Sequence, residues 1–141
     1  MPVRVRIIAL TALIAALAAC AKDSPLSPGA YLAFGTWGGD RTRVVTSNSA
    51  TNISLACSFG EFPGNIALDA DGRFMVSGSW NLSVGPILLN GDMPAQLNGA
   101  VNGNTLTIAI AVNDTTHKTV VLLGPQVVVL GNPGTTVVCP L

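Results

Sequence analysis

From Phe34 onwards apolar and polar positions alternate with period two, the signature of half-buried strands. Ile53, Leu55, Cys57 and Phe59 alternate with Asn52, Ser54, Ala56 and Ser58. Phe74, Val76, Gly78 and Trp80 repeat the pattern, as do Leu106, Ile108, Ile110 and Val112. Turn signals punctuate these runs at Gly64-Asn65, Asp71-Gly72, Asn90-Gly91, Asn102-Gly103, Gly124-Pro125 and Asn132-Pro133-Gly134. Asp-Gly and Asn-Gly supply the positive φ that two-residue hairpin turns require. The spacing predicts strands near 34–37, 41–47, 51–59, 65–69, 73–81, 95–101, 105–112 and 118–130, with the last divided at Gly124-Pro125 and a short piece following at 135–139. The predicted fold is all-β: a small antiparallel meander barrel or sandwich of about eight strands. Val120–Leu123 and Val127–Leu130 are continuously apolar, which predicts a hairpin covered on both faces. Left open, it would be an aggregation-prone edge.

The first twenty residues follow another rule. Arg4 and Arg6 precede a run from Ile7 to Ala19 in which only Thr11 is polar. A basic start, a short apolar core and small residues are the layout of a signal peptide, residues 1–19, with its core helical. A membrane-spanning helix needs roughly 20 apolar residues, and Lys22, Asp23, Ser24 and Pro25 close this run too early. Leu17-Ala18-Ala19-Cys20 resembles the lipobox of bacterial lipoproteins. That resemblance implies cleavage before Cys20, a diacylglycerol thioether on its sulfur and an acyl chain such as palmitate on its amine. Each buried CH₂ contributes ~0.8 kcal/mol, so two or more chains anchor stably where one does not. The alternative is ordinary cleavage near Ala16-Leu17-Ala18 and a released soluble protein. Ala21 rather than Asp follows Cys20, which by resemblance to lipoprotein sorting in diderm bacteria implies the outer membrane. Residues 20–33, with two prolines, two serines and a glycine, read as the lipidated cysteine and a flexible tether; fully extended, 21–33 would span ~40 Å.

Residues 34–141 then form one β domain, since a mature chain of 122 residues from Cys20 is one domain's worth. Removing Arg4 and Arg6 leaves five basic residues against seven acidic ones, with no basic patch to meet nucleic acid. If Cys20 carries lipid, Cys57 and Cys139 remain to form a disulfide in an oxidising compartment. Such a bridge would contribute ~4–5 kcal/mol on the loop-entropy model. The alternation puts Cys57 on the face of Ile53, Leu55 and Phe59, with its sulfur directed inward.

Gly35-Thr36-Trp37-Gly38-Gly39, Cys57, Asp71-Gly72-Arg73-Phe74, Gly78, Gly99, Gly103-Asn104 and Cys139 together resemble a group of short bacterial secreted proteins and lipoproteins. Members share a G-T-W-G-G start, a mid-chain cysteine, a D-x-x-G-x-F hairpin and a C-terminal cysteine. The resemblance implies a fold and no activity. Gly35 and Trp37 also resemble the Gly-x-Trp of lipocalin- and avidin-type barrels, which would imply an up-and-down barrel holding a small apolar ligand. Trp37, Phe74 and Trp80 are the candidate ligand-binding residues on that view; an aromatic on a first strand is more often core.

Enzyme signatures are missing. His117 is the lone histidine, which excludes a multi-histidine metal site, and no G-x-S-x-G accompanies it. Asp69-Ala70-Asp71-Gly72 lacks the rest of a calcium loop and reads as a hairpin turn. Glu61 and Asp40 are unpaired candidates for acid–base work, Gly38-Gly39 has no helix after it to cradle phosphate, and the sequons at Asn52, Asn81 and Asn113 carry no meaning if the protein is bacterial. The expectation is a non-enzyme without catalytic residues, metal or cofactor. Its partners are the membrane, through the lipid, and either an envelope protein or a small apolar ligand. Three classes of function follow: an envelope structural or interaction module, an apolar-ligand binder, or a hydrolase inhibitor presenting the loop Ser58 to Gly64, with Glu61 between Phe59 and Phe62.

Overall fold

The computed structural model describes residues 29–82 and 91–139. The signal peptide, Cys20, most of the tether and Asn90 lie outside the described residues. Eight strands run in chain order: β1 (Gly35–Gly39), β2 (Thr42–Thr46), β3 (Ala50–Leu55), β4 (Ser58–Pro63), β5 (Arg73–Asn81), β6 (Met93–Asn102), β7 (Thr105–Asp114) and β8 (Thr119–Leu130). Each pairs antiparallel with the next, and β8 returns to β1 through Trp37↔Leu130 and Gly38↔Val129. The all-β expectation resolves as a closed meander barrel. Closure removes every unpaired edge.

The period-two pattern selects the interior. Trp37, Val44, Ile53, Phe62, Phe74, Trp80, Leu97, Leu106, Ile108, Ile110, Val112 and Val128 are buried and form one core. Two of the aromatic rings face glycines across a ladder, Trp80 opposite Gly60 and Phe74 opposite Gly99. A methyl group on either glycine would collide with the ring facing it, so the glycines make room for the rings.

Several expectations are corrected. The run 51–59 is two strands, because Ala56 adopts φ 51° and turns the chain with Cys57. The alternation therefore resets: Phe59 points outward, and Cys57 sits on the turn rather than inside. Residues 65–69 are no barrel strand. Ile66 and Leu68 instead fold under one end of the barrel, where Leu32 N donates to Ile66 O at 2.9 Å and Leu68 N to Ala30 O at 2.8 Å. Leu32, assigned to the tether from composition, is buried there, so packing begins ahead of Phe34. Residues 118–130 form one strand. Gly124-Pro125, a cis peptide, lies in it opposite an irregularity between Ile108 and Ile110. The outer side of that strand is not covered by any of the described residues. Finally, 135–139 is not a strand. It belongs to a strap: Gly131 N donates to Thr36 O, the tail crosses the outer face of β1 over Gly38, and Thr135 N donates to Gly39 O. The strap ends in the disulfide Cys57–Cys139, with Cα atoms 5.6 Å apart.

Candidate functional site

Trp37 and Trp80 are the two largest fully buried side chains, 1 % and 0 % exposed, and Phe74 is also buried. The barrel brings all three of the candidate ligand-binding residues inside, where they act as packing. Trp37 Nε1 donates to Ala33 O at 3.2 Å, tying the first strand to the segment that enters it. Phe62 packs against Trp80 with ring centroids 6.4 Å apart. Among the described residues Trp80 Nε1 is buried without a hydrogen-bond partner, as is Asn81 Oδ1 beside it. A buried indole N–H normally finds an acceptor.

The disulfide joins the turn after β3 to the end of the strap, and around it the strap is held by polar contacts. Arg41 N donates to Thr135 Oγ1 at 2.7 Å, and that hydroxyl donates to Asp40 Oδ1 at 3.3 Å. Asp40 thus has a structural task at the β1–β2 turn.

His117 lies in the β7–β8 turn, largely exposed, with Nδ1 2.7 Å from Asp114 Oδ2. Asp114 Oδ1 also accepts from the backbone N–H groups of Thr116 and His117. These bonds, the His117 ring first, hold the Asp114 carboxyl below its ordinary value. The pair is a capped turn. Asp69 does the same at its own turn, accepting from Asp71 N at 2.9 Å and Arg73 N at 2.8 Å through Oδ1. Backbone donors satisfy that oxygen. Among the described residues no group of three or more His, Cys, Asp or Glu could hold a metal.

The stretch Ser58 to Gly64, read from sequence as an exposed inhibitory loop, is mostly β4. Phe62 points into the core while Phe59 and Glu61 point out, so the acid does not sit between two exposed aromatics. The inhibitor reading loses its structural basis.

No family model, curated protein or solved structure matches this chain.

What sequence reasoning missed lies on the outside. An open depression of about 770 Å³ runs over β5–β7, where Gly99, Ala100 and Ala109 leave a low floor beside Met75 and Arg73. On β8, Val120, Leu122, Val127 and Val129 project from the barrel, with Leu122 76 % exposed. The unbroken apolar run in the sequence was the signal. Its inner half is core, and its outer half is surface.

Proposed function

We propose that this chain is an exported lipoprotein, held through Cys20 in the cell envelope and most simply the outer membrane, whose disulfide-stapled barrel is a structural or interaction module. The observation that carries the reading is the set of aromatic rings packed inside the barrel: Trp80 and Phe74 are buried against Gly60 and Gly99 and take interior volume from any ligand. Recognition then falls to the outer wall and the turns. The resemblance to short bacterial lipoproteins agrees with this and adds no activity.

One observation favours the ligand-binding alternative. The partnerless Trp80 Nε1 would be satisfied by an acceptor on a bound molecule. Mass spectrometry of the mature protein, isolated from envelopes in mild detergent, tests both readings. Diacylglycerol and acyl mass on the Cys20 peptide, with a native mass equal to the denatured mass, is the expected result. A discrete mass lost on denaturation would transfer the assignment to ligand binding, and an unmodified Cys20 would overturn the anchor.

A further inference from the structure

The barrel wall is divided by charge. Residues 40–92 carry eight charged side chains, among them Arg43, Glu61 and Arg73 on strands. Residues 93–139 carry only Asp114, the last residue of β7, and Lys118 in the turn that follows, besides His117 in the same turn. The wall of β6, β7 and β8 therefore carries no charged side chain but the buried Asp114 at its far end, and β8 adds exposed Val120, Leu122, Val127 and Val129. Its backbone is hydrogen-bonded to β7, so the wall presents side chains rather than unpaired peptide groups.

The chain enters at one end of the barrel, the end where β8 finishes. Ala30 and Leu32 bond to residues 66–68 there, and Leu130 lies opposite Trp37. Tyr31 and Phe34, at that end, are 58 % and 54 % exposed. Asp69, Asp71 and Arg73 precede or open β5, which lies across the barrel from β1 in an eight-strand meander. A tilt towards β8 lifts those charges away from whatever the entry end rests on.

We infer that the barrel rests tilted on the lipid surface, with Tyr31, Phe34, Val127 and Val129 at the boundary between headgroups and acyl chains. The inference rests on the Cys20 anchor proposed above. From Cys20 to Gly29 the chain spans at most about 30 Å, so the anchor keeps the entry end beside the bilayer. Aromatic side chains favour the membrane interface, and a neutral apolar wall with paired backbone meets no charge-burial cost there. A protein partner is the weaker fit. Stable interfaces take roughly 800 Å² per side and centre on Trp, Tyr and Arg, whereas the large exposed side chains of β8 are all Val and Leu.

The test places a reporter on each wall of the mature lipidated protein. Phe34→Trp and Val127→Trp probe the proposed contact, and Ser54→Trp probes the charged wall; Trp37 and Trp80 are buried and serve as a common background. In phosphatidylethanolamine–phosphatidylglycerol vesicles with brominated acyl chains, the added emission at positions 34 and 127 is expected to fall roughly twofold, with position 54 unchanged. Equal quenching at all three positions overturns the inference. Blue-shifted emission at 127 without bromine quenching also overturns it and assigns the wall to a protein partner, including a second copy. Failure of the anchor is separately visible, as a Cys20 peptide without lipid and protein in the aqueous fraction, and removes the inference with it.

Discussion

Gly99 shows how a missing side chain can be as specific as a present one. Phe74 sits opposite it on the ladder and fills the volume a Cβ would need, so Gly99→Ala must displace an aromatic ring inside a closed wall. Overpacking of this kind costs about 1–3 kcal/mol. Gly91 meets nothing within contact distance, so Gly91→Ala is the control. The expected outcome is a lower urea midpoint for Gly99→Ala with the slope unchanged, and no shift for Gly91→Ala. Equal midpoints would mean that the interior is looser than the packing around Phe74 implies. Gly38 follows the same logic on the outside, where a Cβ would strike the backbone of Asn132 and Gly134 and push the strap off β1. The G-T-W-G-G motif can thus be read physically: Trp37 fills the core, Gly38 admits the strap, and Gly39 lets the β8 backbone approach. Its letters were visible from the start, but the strap that explains Gly38 was not.

The strands that were correctly delimited are those whose turns carry Gly, Asn or Asp, as at Asp71-Gly72 and Asn102-Gly103. The break at Ala56-Cys57 escaped because neither residue advertises a turn. Ala56 takes positive φ at a cost that the surrounding hairpin sustains: Ala56 N donates to Arg41 O at 2.7 Å, and Ser58 Oγ to Leu55 O at 2.9 Å. Gly124-Pro125 misled in the opposite direction, since a pair that usually ends a strand is absorbed as an irregularity within β8. The spacing predicts a short strand at 135–139, which is the end of the strap. It makes no ladder, and its hold on the barrel is a few hydrogen bonds and one disulfide. Cys139→Ser should therefore release residues 132–139 first. Native-state hydrogen exchange is expected to show Thr135 N losing protection while β6 and β7 keep theirs, with global stability falling by about 2–5 kcal/mol. Uniform loss of protection would show that the strap and barrel unfold as one unit.

Ladder lengths divide the whole barrel. β5, β6 and β7 pair along nearly their full lengths, from Arg73↔Ala100 to Trp80↔Met93 and from Ala95↔Val112 to Asn102↔Thr105. The β4–β5 ladder runs only from Phe59↔Asn81 to Glu61↔Ser79, and the β8–β1 ladder is shorter still. These two seams separate a half made of β1–β4 from a half made of β5–β8. The disulfide joins Cys57 in the first half to the strap leaving the second, so it staples the β8–β1 seam. Without the bridge, amides at both seams should exchange before those of β6 and β7; loss of protection beginning in β6–β7 would refute this division. Alternation of side chains is a local property of extended backbone, which is why the inward set on β5 and β7, the tight turns and the all-β class could be read directly from the order of residues. Closure of the barrel, the course of the strap, the plug formed by Leu32, Ile66 and Leu68, and the exposure of Val120, Leu122, Val127 and Val129 on β8 could not. Each depends on residues far apart in the chain approaching within contact distance, and that approach is set by the volume of whatever stands between them.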